Sequence, residues 1–274
     1  MQKTILITGS TDGIGLETAK LLVSKGHHVL LHGRNPAKLE EAKTSLSELT
    51  DGGRIEGYVA DLSNMTDVEQ LAKTIAKQHA KLDVLTNNAG VFKTPTPITQ
   101  GGLDVRFVVN TLAPYLLTQR LLPLLGTSGR VINLSSAAQS PVNLEALTGQ
   151  VKISDDFEAY AQSKLALTTW SRAMALLLKD KGPTIIAVNP GSMLGTKMVK
   201  QGFGVAGKDI QIGADILTRL ALAEEFETAS GQYFDNDSGQ FASAHPDALN
   251  QEKSEGVVRT IKAVLAEITE SDID

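Results

Sequence analysis

The stretch Lys3-Thr-Ile-Leu-Ile-Thr-Gly-Ser-Thr-Asp-Gly-Ile-Gly15 joins an apolar run to a turn that contains three glycines. The apolar run predicts a buried strand, and the glycines at positions 9, 13 and 15 let the backbone approach a bound diphosphate closely. The helix that we expect to start in this turn would direct its N-terminal amides and its positive dipole end at the same anion. The spacing is Gly-x-x-x-Gly-x-Gly and no Gly-Lys-Ser/Thr follows, so the turn is not a P-loop. A glycine turn with a purely structural role is the alternative.

Outward from this turn, short apolar runs alternate with longer helical patterns. The apolar runs predict strands covered on both faces, at residues 3–8, 28–32, 55–60, 82–86, 130–135 and 184–189. The helical patterns occupy about residues 13–26, 36–49, 65–80, 101–125 and 157–181. A further strand is expected near Gln232–Phe234 and a last helix at about 249–268. Strict alternation predicts an α/β fold with a parallel sheet and helices on both faces. No linker or repeat divides residues 1–274, so we predict a single domain.

The composition excludes several classes of site and partner. The chain has 274 residues and no cysteine, which rules out disulfides, thiolate metal sites and a cysteine nucleophile. A net charge of −5 without a dense basic run argues against nucleic acid or an anionic membrane as a partner. No stretch approaches ~18 apolar residues, so we expect no transmembrane segment. Met1-Gln-Lys3 leads directly into the first strand, which leaves no room for a signal peptide, and we expect a cytoplasmic protein.

Several successive strands end in small, polar or turn-forming residues. In an open parallel sheet the carboxyl ends of the strands share one rim, where ligands bind. This coincidence is more specific than any single motif and predicts a ligand site at the rim. The residues concerned are Arg34 after the second strand, Asp61 and Leu62 after the third, Asn87-Asn-Ala-Gly90 after the fourth, Ser135 and Ser136 after the fifth, and Pro190-Gly191 after the sixth.

The end of the second strand, His32-Gly-Arg34-Asn35, predicts which dinucleotide binds. An acidic residue in this region would receive the hydroxyls of the adenosine ribose, and none is present. The guanidinium of Arg34 suits a 2′-phosphate, so NADP(H) is favoured over NAD(H). The alternative is a solvated arginine at the start of a helix.

The pentapeptide Tyr160-Ala-Gln-Ser-Lys164 lies in a predicted helix, where residues four apart share one face. A free tyrosine has a pKa near ~10 and is a poor base at neutral pH. An adjacent ammonium favours the phenolate, so we predict that Lys164 lowers the pKa of Tyr160 and makes it a proton shuttle. Taken alone, the motif also fits a surface tyrosine beside a surface lysine.

Together these motifs resemble the short-chain dehydrogenase/reductase family. The resemblance implies a Rossmann-type doubly wound parallel sheet of about seven strands and a nicotinamide dinucleotide cofactor. It covers nearly the whole chain in the family's order. The matching pieces are Thr8-Gly9-x3-Gly13-x-Gly15, Asn87-Asn-Ala-Gly90, Asn110, Ser136, Tyr160-x3-Lys164 and Pro190-Gly191.

The resemblance also implies a role for individual residues. Tyr160 would exchange a proton with the substrate oxygen, Lys164 would hold the nicotinamide ribose, and Ser136 would hydrogen-bond the substrate oxygen. Asn110 would bind a water that links Lys164 to solvent, or would simply kink its helix. Thr196 would contact the nicotinamide carboxamide. The cofactor would lie against Gly9, Ser10, Thr11, Asp12, Gly13, Ile14, Gly15, Arg34, Asp61, Leu62, Asn88, Ala89, Gly90, Tyr160, Lys164, Pro190, Gly191 and Thr196.

Two departures from the common pattern bear on the substrate. Ser136 and Tyr160 are 24 residues apart, where the family often has about a dozen between them, and this is similar to the retinol dehydrogenase and protochlorophyllide reductase branch. The run from Pro190 to Thr196 is one residue longer than usual. Segments 141–157 and 192–212 interrupt the alternation and are expected to form pocket walls, with ordinary surface loops as the alternative. Met193, Met198 and Phe203 could line an apolar cleft or anchor a loop.

The predicted function is hydride transfer between NADP(H) and a small-molecule carbonyl or alcohol, with a lipophilic or bulky substrate suggested by the branch. The alternative from another class is a non-catalytic cofactor sensor, which should have lost part of the tyrosine–lysine–serine set. A nucleotide-dependent methyltransferase would share the glycine turn but has no use for Tyr160 and Lys164 on one helix face. A homodimer or homotetramer through helices 101–125 and 157–181 is plausible on the resemblance.

Overall fold

A single sheet forms the centre of the molecule. The computed structural model describes residues 1–49 and 53–271. Within them the strands are β1 (Thr4–Ile7), β2 (His28–Gly33), β3 (Arg54–Val59), β4 (Val84–Asn87), β5 (Arg130–Leu134), β6 (Thr184–Asn189), β7 (Tyr233–Asp235) and β8 (Gln240–Ala242).

Helices connect most of the strands and cover both faces of the sheet. Several of them start at side-chain caps: Asp12 accepts from the Gly13 amide at the start of the first, and Asp155 accepts from the Glu158 amide at the start of the longest. The α-helices are α1 (Gly13–Ser24), α2 (Pro36–Ser47), α3 (Met65–Gln78), α4 (Val105–Phe107), α5 (Ala113–Leu125), α6 (Leu144–Leu147), α7 (Asp156–Leu178), α8 (Lys197–Phe203), α9 (Gln211–Leu222), α10 (Pro246–Leu249) and α11 (Gln251–Ser271).

The strand order is β3-β2-β1-β4-β5-β6-β7-β8, which confirms the doubly wound sheet. The first seven strands pair in parallel, and β8 pairs antiparallel with β7. The chain runs outward from β1 to β3 and then returns to place β4 on the other side of β1. Such a reversal opens a crevice at the carboxyl ends of β1 and β4, where dinucleotides bind in folds of this kind.

Two apolar cores sit on opposite faces of the sheet. One lies between the sheet and helices α3, α5, α7 and α11. The other lies under α1, α2 and α9. Alternate residues of the central strands enter the two cores: Ile5 and Ile7 of β1 belong to one, and Leu6 belongs to the other. This explains why the central strands are apolar at every position.

The structure differs from the sequence prediction in three places. Strand β8 is an addition to the seven expected strands, and its Phe241 packs edge-on against Phe234 of β7. The helix expected at 101–125 begins only at Val105, because the Asp104 side chain caps it by accepting from the Arg106 amide. It also contains a π-helical turn, Val108–Leu112, between α4 and α5. Within the described ranges, every helix is too short or too polar to span a membrane.

Candidate active site

The glycine turn after β1 is packed too closely to carry side chains at two of its glycines. Gly9 has φ of +63°, and a Cβ there would lie 2.9 Å from the Ala89 Cα. A Cβ at Gly15 would lie 2.4 Å from the Asn88 Nδ2 atom and 2.5 Å from the Gly9 carbonyl oxygen. Gly13, with φ of +61°, starts α1. The turn therefore brings bare backbone and the amino end of α1 to the crevice, as a diphosphate site requires.

His32, near the end of β2, is hydrogen-bonded to the glycine turn. No sequence pattern indicated a role for this residue. Its side chain is buried, its Nδ1 accepts from the Gly9 amide at 3.1 Å, and its Nε2 lies 3.1 Å from the Ala60 carbonyl oxygen. Because Nδ1 is an acceptor, Nε2 must carry the proton and donate to Ala60. Burial lowers the pKa of His32 to about 4, so the ring is neutral at physiological pH.

Three predicted cofactor residues have side chains that support the site from inside. The Asn88 carboxamide donates to the carbonyl oxygens of Thr8 and Gly9, at 2.8 and 3.0 Å, and so fixes the glycine turn. The Ser10 hydroxyl is buried and accepts from the His32 amide at 2.9 Å. Leu62 is buried in a core, which leaves its backbone as the part that can face a ligand. Asp61 stays at the rim, where its Oδ1 accepts from the amide and the hydroxyl of Ser63.

Arg34 lies at the carboxyl end of β2, on the rim of the sheet where the crevice opens. Its side chain is exposed and follows Gly33 at the end of β2. A Cβ on Gly33 would lie 2.5 Å from the Thr11 Cγ2 atom, so Gly33 leaves room for the glycine turn to pack against β2. The segments that carry Arg34 and Thr11 are therefore adjacent, and the 2′-phosphate site at Arg34 stays a prediction.

Tyr160, Lys164, Ser136 and Asn110 come together at the opposite side of the crevice. The Lys164 ammonium lies 5.5 Å from the centre of the Tyr160 ring and donates to the Leu134 carbonyl oxygen at 2.7 Å. The Ser136 side chain lies close enough to the Tyr160 hydroxyl to lower the pKa of that hydroxyl. A Cβ on Gly90 would lie 3.4 Å from the Asn110 Oδ1 atom and 3.5 Å from the Lys164 Nζ atom. Gly90 therefore leaves open space beside both groups.

The choice of Ser136 over Ser135 is supported by their surroundings. The Ser135 hydroxyl is buried and lies 2.6 Å from the Thr168 hydroxyl and 3.2 Å from the Lys164 carbonyl oxygen. Ser136 faces the tyrosine instead. Its carbonyl oxygen accepts from the Tyr233 hydroxyl at 3.1 Å and from the Gln139 carboxamide at 2.8 Å. Gln139 is only three residues from Ser136, whereas Tyr233 is 97 residues away, and no local pattern indicated this distant support.

The pKa values of Tyr160 and Lys164 differ from the prediction. Burial raises the pKa of Tyr160 above its ordinary value, and the nearby Ser136 side chain lowers it only in part. Burial also lowers the pKa of Lys164 to about 7, so its own charge is weakened. The predicted lowering of the Tyr160 pKa by Lys164 is therefore wrong for this structure. The reason is that both groups are taken out of water, which penalises the charged form of each.

Asn110 lies in the π-helical turn and is 1% exposed. Its carboxamide accepts from the Val91 amide at 2.8 Å and donates to the Val91 carbonyl oxygen at 2.9 Å. It also donates to the Ser163 hydroxyl at 2.9 Å. The helix is distorted at Asn110, and its side chain joins the segment after β4 to α7, while the water expected at Asn110 stays a prediction. Single π turns of this kind occur frequently at functional sites.

The segment 192–212 lies over the glycine turn. Thr196 caps α8, where its Oγ1 accepts from the Val199 amide at 3.2 Å, and its Cγ2 atom lies 4.0 Å from the Cβ position of Gly13. Lys197 forms an ion pair with Asp12 at the start of α1. Before this segment, the Pro190 carbonyl oxygen accepts from Asn236 at 2.9 Å, and Gly191 adopts φ of +125°. This arrangement fits the predicted pocket wall.

An aromatic cluster covers the free side of Tyr160. Phe92 packs edge-on against the Tyr160 ring, with centroids 5.2 Å apart, and stacks on Phe203 at 5.5 Å. Phe157 meets Phe92 edge-on at 6.5 Å, and it is 47% exposed. Of the segment 141–157, the end residue Phe157 thus reaches the site, whereas α6 packs its Ala146 and Leu147 into a core. Met198 points toward Gly90, with its Cε 3.8 Å from the Cβ position there.

A comparison with protein families identifies the fold and the site together. A family model described as short chain dehydrogenase matches residues 3–203. The chain belongs to the short chain dehydrogenase family. As a member of this family it is an oxidoreductase, and the glycine turn predicted to bind a cofactor lies at the crevice between β1 and β4.

Individual relatives place the chain more narrowly in the retinol dehydrogenase-like branch, as its motifs predict. Retinol dehydrogenase 13 of Mus musculus is 34% identical over 251 residues, which cover 85% of this chain and 75% of that protein. Polyprenol dehydrogenase of Homo sapiens is 32% identical over 255 residues, covering 86% and 77%. The crystal structure of a metagenomic short-chain oxidoreductase in complex with NADP matches with a TM-score of 0.61 at 29% identity, covering 80% of this chain and 90% of that one.

Proposed function

We propose that this protein transfers hydride between NADP(H) and a carbonyl or alcohol substrate, with Tyr160 as the acid/base. The observation that carries the proposal is the meeting of Tyr160, Ser136, Lys164 and Asn110 beside the open space at Gly90. A sensor that only binds the cofactor has no need for this set. The reductive direction is favoured because a tyrosine with a raised pKa is protonated at neutral pH and can donate its proton to a carbonyl oxygen.

The cofactor fits the residues that are present, since bare backbone at Gly9 and Gly15 leaves a cradle for a diphosphate. The turn residues 9–15 and the rim residues Ala89, Gly90, Pro190, Gly191 and Thr196 would hold it. When bound, it supplies the hydride donor or acceptor that the protein lacks. Lys164 would hold the nicotinamide ribose, and its ammonium, charged in part near a pKa of 7, would polarise the hydroxyls there.

Tyr160 and Ser136 act on the substrate oxygen in this proposal. Ser136 would position the oxygen by a hydrogen bond, and Tyr160 would give it a proton as negative charge develops. Lys164 and Asn110 lie behind them, joined through α7: Asn110 donates to Ser163, the residue before Lys164. The Ser163 hydroxyl in turn donates to the Tyr160 carbonyl oxygen, so Asn110 supports the turn of α7 that carries the tyrosine. A water bound by Asn110 would link Lys164 to solvent, as the family resemblance implies.

Preference for NADP(H) rests on Arg34. The exposed guanidinium follows Gly33 at the end of β2, and no acidic side chain replaces it there. A bidentate guanidinium fits a phosphate well and an uncharged ribose hydroxyl less well. The NADP complex of the metagenomic relative supports the same cofactor.

A lipophilic or bulky substrate is supported by the aromatic cluster of Phe92, Phe157 and Phe203 around Tyr160. Phe157 and Phe203 are 47% and 46% exposed, so they offer apolar surface beside the proton donor. The names of retinol dehydrogenase 13 and polyprenol dehydrogenase point to the same class of substrate. A cytoplasmic location, and a homodimer or homotetramer built on α5 and α7, belong to this proposal as well.

Turnover of a panel of aldehydes, ketones and quinones with NADPH tests the activity. We expect Tyr160→Phe to lose more than about 100-fold in kcat while it binds NADPH normally. Tyr115→Phe is the matched control, because Tyr115 is a buried tyrosine that packs edge-on against Trp170 away from the site. Normal turnover by Tyr160→Phe would refute the assigned role. Tight NADPH binding by the parent protein without turnover of any substrate would favour the cofactor sensor.

Fluorescence titrations of NADPH and NADH test the cofactor preference. We expect the parent protein to bind NADPH more tightly, and Arg34→Ala to lose about 10-fold or more of affinity for NADPH alone. Arg259→Ala, an exposed arginine on α11, is the control for loss of a positive charge. Tighter binding of NADH by the parent protein, or an equal effect of Arg34→Ala on both cofactors, would contradict the argument.

A further inference from the structure

A second cluster of chemically active side chains lies at the amino ends of the strands, away from the crevice. It consists of His28, Glu56 and His79, whose ligand atoms all lie within 4.8 Å of one another. His28 is the first residue of β2, and the crevice is at the other end of that strand. The five residues between them span about 16 Å at the usual rise per residue. The cluster is therefore separate from Tyr160 and from the glycine turn.

The fold brings the three residues together from three different elements. In the register of β2 with β3, His28 lies opposite Arg54 and Leu30 lies opposite Glu56. Residues two apart in a strand share a face, so His28 and Glu56 are diagonal neighbours on one face of the sheet. His79 ends α3 as its C-cap residue, and its ring meets that of His28 with centroids 5.6 Å apart. No local sequence pattern could have indicated this cluster.

The separations fit the edges of a metal coordination polyhedron. The His28 Nε2 atom lies 2.9 Å from Glu56 Oε1, and the His79 Nε2 atom lies 3.2 Å from Glu56 Oε2. Ligands about 2.0–2.1 Å from a tetrahedral Zn²⁺ are separated from one another by about 3.3 Å. Small side-chain movements would therefore bring one nitrogen from each histidine and one carboxylate oxygen into a shared coordination sphere.

The burial and the contacts of the His28 ring are a second observation that points to a ligand at this cluster. The His28 side chain is 8% exposed, and Nε2 meets the distance but not the direction of a hydrogen bond to Glu56. Among the residues that the structure describes, this nitrogen has an ion-pair contact with Glu56 but no well-directed hydrogen bond. A buried polar atom without a well-directed hydrogen bond is uncommon and calls for an explanation.

We propose that His28, Glu56 and His79 bind one divalent first-row transition metal ion of the Zn²⁺ type, with solvent at the remaining position. Two imidazoles and a carboxylate suit Zn²⁺, Co²⁺, Ni²⁺ or Cu²⁺ better than Mg²⁺ or Ca²⁺, which take oxygen ligands. The surface recess beside the cluster, about 640 Å³ and bordered by Thr4 and Lys81, admits the ion and its water.

Neighbouring groups are compatible with this site. The Tyr58 hydroxyl lies 2.9 Å from Glu56 Oε2 and 2.8 Å from His79 Nε2. By donating to this carboxylate oxygen, the hydroxyl can orient Glu56 as an outer partner of the site. When the metal takes the His79 nitrogen, this hydroxyl keeps Glu56 and Gln78 as partners. Arg54 lies 3.4 Å from Glu56, but it is 70% exposed and can turn toward solvent.

The ion would tie β2, β3 and the end of α3 together at the edge of the sheet.

Calorimetric titration of the chelator-treated, dialysed protein with Zn²⁺ tests whether the cluster binds a metal ion, with Co²⁺ as the spectroscopic probe. We expect one Zn²⁺ per chain, visible ligand-field bands of low-coordinate Co²⁺, and a rise in the melting temperature. Glu56→Gln and His79→Gln should weaken binding by more than about 100-fold. His245→Asn is the control, because His245 is a distant histidine that caps α10.

The outcomes separate the metal site from a purely hydrogen-bonded cluster. Binding that is lost in Glu56→Gln and His79→Gln but kept in His245→Asn supports the site. Absence of stoichiometric Zn²⁺ binding to the parent protein overturns it, as does binding that the two ligand variants leave unchanged. His79→Gln changes a side chain at a helix end, so its fold is expected to persist, and its circular dichroism and melting curve check this. NADPH titration of the same samples shows that the crevice is intact.

Discussion

The neutral state of His32 predicts that acid weakens both the fold and the cofactor turn. His32 is 3% exposed, and its pKa is lowered to about 4 from an ordinary value near 6.5. Between these two pKa values the His32 side chain is protonated in the unfolded chain but not in the folded chain. The free energy of unfolding therefore decreases as pH falls from about 6.5 toward 4. A difference of 2.5 pKa units, from 6.5 to about 4, corresponds to about 3 kcal/mol once the pH lies below both values.

Part of this loss can be measured before other groups titrate. Between pH 7.5 and pH 5.0 the same two pKa values give a loss of about 2 kcal/mol from His32 alone. His27 and His28 also have lowered pKa values, and they add a loss of the same sign. A variant that lacks His32 keeps their contribution, so the difference between parent and variant isolates His32.

Two variants, His32→Asn and His32→Gln, each keep a different one of the two hydrogen bonds that the His32 ring makes. Asparagine at position 32 can place its oxygen where Nδ1 accepts from Gly9, whereas glutamine can reach toward Ala60 in place of Nε2. We expect either change to cost about 1–3 kcal/mol at pH 7.5, because one buried group loses its partner. His32→Asn should retain more NADPH affinity than His32→Gln, because it retains the contact with the glycine turn.

Urea unfolding of the parent, His32→Asn and His32→Gln at pH 7.5 and 5.0 provides the test, with NADPH titrations under the same conditions. The parent should lose about 2 kcal/mol more than either variant over this interval. If all three proteins lose the same free energy of unfolding, the reasoning from a buried neutral His32 is refuted. Equal NADPH affinity of the two variants would reject the role of the Gly9 contact while leaving the stability argument standing.

Two further substitutions probe the crevice. Gly15→Ala should abolish measurable NADPH binding, because its Cβ would lie 2.4 Å from the Asn88 carboxamide nitrogen. Gly101→Ala is the control, because the atom nearest to its Cβ position is 3.9 Å away. Normal NADPH titration of the Gly15→Ala protein would contradict the packing argument. Lys197→Ala should release NADPH several-fold faster in stopped-flow fluorescence, because it frees segment 192–212 from Asp12. That ion pair is exposed, so the free energy of unfolding should change by less than about 1 kcal/mol, and an unchanged release rate would exclude the pair as a tether.

The parts of the fold that the sequence predicts are those with strong local patterns. Each of the six apolar runs became a strand; five of these strands are buried, as such runs require, whereas β3 at the edge of the sheet is largely exposed. The spacing of Tyr160 and Lys164 likewise determines that they share a helix face. Strand β8 escaped prediction because only Gln240–Ala242 pair, between polar and glycine-rich residues, and this pairing depends on contacts with Phe234.

Some side-chain roles at the site could not be predicted from the sequence, because they depend on contacts between distant segments. Asn88 was expected to meet the cofactor, but its carboxamide is used by carbonyl oxygens 80 and 79 residues earlier in the chain. The support of Ser136 by Tyr233 spans 97 residues. The direction of the Tyr160 pKa was also missed, because the spacing reveals the neighbouring charge and not the burial of both groups.

Burial of Tyr160 and Lys164 links the proton chemistry to the substrate wall. The aromatic rings that shield Tyr160 are also the apolar surface proposed to hold the substrate, since Phe92 touches both the tyrosine and Phe203. A tyrosine kept protonated in this way is ready to donate, and a lysine with a pKa of about 7 is ready to regain or lose a proton near neutral pH. The same water exclusion strengthens each hydrogen bond in the set. Segment 192–212, which carries Phe203, therefore bears on substrate binding and on proton transfer at once.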